Sequence, residues 1–182
     1  IPSPRAVLGF NPGDDRTIAD WKQISDYFTR LGAASDRVQV QTIGKSTLGR
    51  TMFVAFISAP ENIRNLIKYK EIQAKLADPR SVRSDAERDQ LIRDGKTVVV
   101  ISCSIHSTET ASTLMALELL HELAIRDDPE TREILERTIL LLVPSANPDG
   151  VDKVAAWYER SKGEPWEGGG MPELYHKYAG HD

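Results

Sequence analysis

The chain has 182 residues, 40% of them hydrophobic and 27% charged, with a formal net charge of −4. That is the size and composition of one globular domain with a hydrophobic core, not of a disordered or fibrous chain. The charges are interspersed without the basic stripe of a nucleic-acid binder, and no apolar run approaches the ~20 residues of a membrane helix. Neither a nucleic-acid nor a membrane partner is expected.

Residues 1–16, rich in Pro, Gly and Asp, read as an extended lead-in to a domain over 17–182. Thr17 or Asp20 can cap a helix running to about Leu31, with Ile18, Trp21, Ile24, Tyr27, Phe28 and Leu31 on one face and Gly32 ending it. A hairpin follows. Val38, Val40 and Ile43 point one way, Thr51 to Ser58 is a β-branched and aromatic run, and Gly44 to Arg50 has turn chemistry. Segment 61–95 is expected to hold one or two helices, broken at Asp78-Pro79, restarted at Ser84 and stopped at Asp94-Gly95.

Residues 97–103 are apolar on both faces, as a central strand covered by helices on each side would be. A long helix is expected over about 109–126, a short one from Asp128-Pro129 to about Glu136, and an apolar strand from Thr138 to Val143. Asn147-Pro148-Asp149-Gly150 is dense turn chemistry, Gly163 to Gly170 is a glycine-rich loop, and Pro172 to Tyr178 can form one short helix. Strands alternate with helices, so the expected fold is α/β: a mixed, centrally parallel sheet with helices on both faces and an antiparallel hairpin edge.

The lone Cys103 permits no disulfide within the chain and, lying in an apolar run, reads as a small buried hydrophobe. No signal peptide is visible, and the first residue is Ile1, as a processed or trimmed N-terminus would leave it.

The chemistry concentrates in Ser104-Ile105-His106-Ser107-Thr108-Glu109, where a buried strand gives way to a helix. Sites in open α/β sheets form outside the carboxyl ends of strands. A separation of three lets the His106 imidazole and the Glu109 carboxylate converge on one ion, and zinc takes such ligands at ~2.0–2.2 Å. The same spacing also fits a first-turn acid at a helix N-terminus with Ser107 or Thr108 as its cap. His121 lies inside the long helix and reads as solvated or partly packed. Gly44-Lys45-Ser46-Thr47 imitates the end of a phosphate loop, but position 39 is Gln39 and a strand follows where a helix is required. No Gly-x-Ser-x-Gly elbow of a serine hydrolase occurs.

Four stretches, in order, resemble the M14 family of zinc metallocarboxypeptidases. Ser46-Thr47-Leu48-Gly49-Arg50 resembles the family's Gly-Arg hairpin, and His106-Ser107-Thr108-Glu109 its first metal motif. Pro144 to Gly150 resembles its Asn-Pro-Asp-Gly turn, and Tyr175 to Asp182 the stretch leading to its Asn-Arg substrate-binding pair. The resemblance implies a zinc-dependent peptidase acting on a peptide substrate, secreted or periplasmic. It makes His106 and Glu109 metal ligands and Arg160 the best match to the oxyanion-stabilising arginine. It also implies that the third ligand, the general base and the Asn-Arg pair lie beyond Asp182. The expectation is therefore a truncated, inactive fragment that binds Zn2+ weakly or not at all. His176 and His181 are expected to be loop histidines, not ligands. An uncovered sheet edge is expected to promote self-association. Two alternatives stand beside this reading: a zinc deacylase acting on N-acyl amino acids, and a non-catalytic module that keeps the fold.

Overall fold

The computed structural model describes residues 1–175, 177 and 178. Its first element is a helix, α1 (Pro4–Leu8), capped by the Ser3 side chain, with Leu8 buried in the main core. The lead-in is thus not extended. Pro4 at the first helical position and a serine before it are a helix start despite the shortness of the segment.

α2 (Trp21–Ala34) begins at Asp20, whose side chain accepts from the Gln23 amide while the Gln23 side chain accepts from the Asp20 amide. Trp21, Ile24, Tyr27, Phe28 and Leu31 form its buried face. Gly32 does not end this helix. A Cβ there would stand 2.9 Å from Val40 Cγ2, so the missing side chain serves the close approach of helix and strand.

β1 (Val38–Lys45) and β2 (Thr51–Ile57) form the antiparallel hairpin, with a register shift between Thr42 and Gly44. That bulge turns Ile43 away from the core and leaves it 53% exposed, against the expected inward alternation. The next segment is divided more finely than its pattern suggests. It holds α3 (Pro60–Arg64), α4 (Leu66–Ala77), a 3₁₀ turn at Pro79–Ser81, and α5 (Asp85–Asp94) capped by Ser84. Then come β3 (Thr97–Ser102), α6 (Thr110–Ile125), α7 (Pro129–Arg137) capped by Asp128, β4 (Thr138–Val143) and α8 (Pro148–Ser161). Residues 172, 173, 175, 177 and 178 are bends and 174 has no regular structure, so the short helix expected over Pro172 to Tyr178 is not formed among its described residues.

The sheet order is β1-β2-β4-β3, with β1–β2 and β2–β4 antiparallel and β3–β4 parallel. The alternation of side chains along strands sends neighbours to opposite faces. Ala55, Ile57 and Leu142 join the main core with α2, α6 and α8, where Trp21 stacks on Phe53 at 5.0 Å. Phe56, Ile139 and Leu141 face a second, smaller core under Tyr69 and Ile72 of α4. The sheet is mixed with helices on both faces, as expected, but β3 is not its centre. β3 is an edge strand within the described residues, with Val98, Val99 and Val100 exposed by 37%, 41% and 63%. Its apolar faces looked like those of a central strand because an all-apolar sequence carries no sign of which neighbours are present.

Candidate metal centre

The parallel pairing of β3 and β4 aligns Ser102 with Val143, so both strands end at the same rim of the sheet. The loops that follow are stitched together. Cys103 donates its amide to Val143 O at 3.0 Å, Ala146 donates to Cys103 O at 2.8 Å, and Ser145 Oγ donates to Ser104 O at 3.3 Å. Burial holds the Cys103 thiol above its ordinary pKa, so it is a packed neutral group.

Ser104 turns the chain with a left-handed φ of +46°, uncommon for a residue with a side chain, and is buried. The turn lifts His106 out of the strand line, and α6 begins four residues later with Glu109 at its N-cap. Glu109 does not cap the helix with its side chain. Its carboxylate folds back instead: Oε1 lies 2.7 Å from His106 Nδ1, and Oε2 accepts from the His106 amide at 3.3 Å. Both side chains are 49% exposed.

The donor set fits zinc. One imidazole nitrogen and one carboxylate oxygen face each other on the solvent side of the rim, and both are ligand types that zinc accepts. Ligand atoms on one zinc stand farther apart than a hydrogen bond because each bond is ~2.0–2.2 Å. A small rotation of the Glu109 side chain would therefore let an ion take the place of the shared hydrogen bond.

Ser107 is buried on the inner side of the loop. Asn147 Nδ2 donates to Ser107 Oγ at 3.3 Å, and Asn147 Oδ1 caps α8 by accepting from the Gly150 amide at 3.0 Å. The Asn-Pro-Asp-Gly stretch is thus the first turn of a 14-residue helix rather than a turn between loops. Asn147 as cap and Pro148 at the first position carried that signal in the sequence, and the density of turn-forming residues hid it.

The next residue ties in the hairpin. Asp149 is buried, and its Oδ1 accepts from Ser46 Oγ at 2.7 Å and Arg50 Nη1 at 2.8 Å, while Oδ2 accepts from the Leu48 amide at 2.9 Å. Arg50 Nε also pairs with Asp152. Burial alone would raise the Asp149 pKa, but the bonds from Ser46, Leu48 and Arg50 outweigh it and hold the carboxyl below its ordinary value. Three of the four stretches singled out in the sequence therefore meet at the N-terminus of α8.

Arg160 is not brought to this place. It lies on the last turn of α8, about 16 Å of helix rise from Asp149, and its guanidinium pairs with Glu173 Oε1 at 3.0 Å. It also rests over the Trp157 ring at 5.6 Å. His176 and His181 lie outside the described residues. Among the described residues, one group of three metal-type donors comes together: Glu118, His121 and Glu122 on the outer side of α6. Half-buried or exposed acids on one helix commonly stand so without an ion.

The family model described as zinc carboxypeptidase matches residues 24–168. Among solved structures, carboxypeptidase A from Helicoverpa armigera is similar at 19% identity and a TM-score of 0.51, over 88% of this chain and 32% of that one. Thrombin activatable fibrinolysis inhibitor is similar at 14% identity and a TM-score of 0.55, over 82% and 31%. A metallo-carboxypeptidase from Burkholderia cenocepacia is similar at 18% identity and a TM-score of 0.51, over 72% and 28%. At these identities the likeness is one of fold. The chain spans about a third of the length of these structures. No curated protein matches it.

Proposed function

This chain belongs to the zinc carboxypeptidase family, and we propose that it supplies His106 and Glu109 as two protein ligands of a catalytic zinc in a peptide-hydrolysing enzyme. The observation that carries the reading is the convergence of His106 Nδ1 and Glu109 Oε1, 2.7 Å apart, at the carboxyl end of β3. A zinc ion there would polarise a scissile carbonyl and lower the pKa of a bound water. The chain's own residues provide the rim that orients the two donors, and the buried Ser107 and Asp149 with the half-buried Asn147 anchor it.

A catalytic zinc commonly takes three protein ligands and keeps one position for water. Two donors make a half-site, so the affinity of this chain by itself is expected to be weak and its peptidase activity absent. Peptide substrates and a secreted or periplasmic location belong to the same reading. Arg160 as an oxyanion-stabilising group belongs to it as well, a role that requires the side chain to leave its pair with Glu173 and reach the substrate carbonyl at this rim.

The test is a Zn2+ titration of the chain by competition with a chromophoric chelator, set against His106→Ala and Arg160→Ala. Loss of one donor is expected to weaken binding at least tenfold, as ligand-shell changes do, whereas Arg160→Ala should leave it unchanged. Equal binding by the parent and His106→Ala would remove the metal assignment, and a non-catalytic module would be the better account. If binding stands, hydrolysis of a peptide or of an N-acyl amino acid by this chain would overturn the half-site reading.

The exposed edge of β3 supports one further element of the reading. Its six residues carry no charge and no proline to block pairing. The isolated chain is proposed to self-associate by pairing β3 with β3 of a second copy.

A further inference from the structure

We propose that Ser112 is a positioning residue for the metal pair: its hydroxyl closes the base of the loop that carries His106 and Glu109. The inference rests on the zinc reading above and adds the group that sets the geometry of that site.

The loop spans residues 104–109, and its two ends meet at one atom. Ser104 donates its amide to Ser112 Oγ at 3.0 Å. Ser112 Oγ donates its own proton to Glu109 O at 2.8 Å. The hydroxyl thus spends a lone pair on the start of the loop and its proton on the end. Each residue between has two soft backbone torsions. The Glu109 amide, donating to His106 O at 3.1 Å, closes the turn between the two donors, and the Ser112 clamp fixes that turn to the end of the strand.

The clamp matters more because of where it acts. Ser104 is buried and left-handed, with φ +46°, a conformation that persists only where surroundings over-determine it. Three hydrogen bonds do so here: the amide to Ser112, the Oγ to His106 O at 3.2 Å, and the carbonyl accepting from Ser145 Oγ. Removing the Ser112 hydroxyl leaves the buried Ser104 amide without this acceptor, and an unmet buried donor is the costly case. The nearest relief is rotation about Ser104, which swings His106 away from Glu109. Threonine at 112 keeps the bond, because its hydroxyl in a helix reaches back to a carbonyl three or four residues earlier.

The experiment compares Zn2+ affinity, by chelator competition, for the parent chain, His106→Ala, Ser112→Ala and Ser112→Thr, with a thermal unfolding curve of each metal-free protein. Ser112→Ala is expected to lose 10–100-fold in affinity, as loss of a ligand-orienting partner does, while still unfolding cooperatively. Ser112→Thr should restore affinity close to the parent. If Ser112→Ala binds zinc as tightly as the parent, the positioning role is overturned and the metal site stands. If the parent and His106→Ala do not differ, the metal reading fails and the positioning role fails with it. Should Ser112→Ala not fold cooperatively, the double variant Ser104→Gly/Ser112→Ala takes its place. Glycine accepts the left-handed backbone freely, so weak binding by this variant supports the clamp and parent-like binding overturns it.

Discussion

A Cβ built on Gly150 would lie 2.1 Å from Ser107 Oγ and 2.7 Å from Ser107 Cβ. Gly150 sits inside the first turn of α8, where alanine would ordinarily gain about 1 kcal/mol over glycine from helix propensity. Overpacking a tight contact costs about 1–3 kcal/mol, and Ser107 is buried with its oxygen already engaged. The steric effect should win. Gly150→Ala is expected to lower stability by up to about 2 kcal/mol, the difference of those two effects, read as a lower denaturation midpoint at constant slope. It should also weaken zinc binding, since Ser107 and His106 share the loop. The sequence marks Gly150 as a turn former. The operative reason, a backbone pressed against a serine 43 positions earlier, is a contact between distant segments that no local pattern encodes.

At the scale of elements, the hairpin connection and α8 are fastened through Asp149. The carboxylate takes three hydrogen bonds, one of them from the Arg50 guanidinium, while buried. Asp149→Asn removes the charge that Arg50 faces and is expected to cost about 1–3 kcal/mol. The pH dependence follows from the direction of the shift. The folded pKa of Asp149 lies below the ordinary value of 3.8, so the fold favours the ionised form. The stabilisation is complete above that ordinary value and is lost as pH falls through the folded pKa. Urea midpoints measured from pH 7 to pH 3 should drop below about pH 4, and the drop should be shallower in Asp149→Asn. A parent profile as shallow as the variant's would show that Asp149 does not couple these elements. The hairpin and the strand β4 were visible from their patterns. α8 was not, because Asn-Pro-Asp-Gly satisfies the composition of a turn and of a capped helix start equally well.

For the whole molecule, the decisive feature is the sheet order. β4, not β3, is interior, flanked by β2 on one side and β3 on the other. Val98, Val99 and Val100 therefore present an open row of strand hydrogen-bonding groups beside exposed apolar side chains. Val100→Lys places a charge on the most exposed of the three, a device by which edge strands resist pairing. Multi-angle light scattering should show a concentration-dependent dimer for the parent chain and a monomer for Val100→Lys. Monomers for both at high concentration would end the self-association proposal. No helix among the described residues is long and apolar enough to cross a membrane.

The sequence by itself marked the elements with clear local signals: α2 with Thr17 or Asp20 as its cap, the β1–β2 hairpin, α6, α7 and the all-apolar strand β4. It also marked His106 and Glu109, because their spacing and place at a strand end are local properties. Periodicity records which side of an element is apolar, and capping records where a helix can start; both are short-range. Only the tertiary structure decided that β3 is an edge, that Gly32 and Gly150 exist for close approach, and that Ser46, Arg50 and Asp149 form one latch. It also placed Ser112 between the ends of the loop that carries His106 and Glu109, and Arg160 at the far end of α8. Each of these depends on segments far apart in the chain meeting in space, and the free energy that selects them comes from packing and buried hydrogen bonds rather than from local propensity.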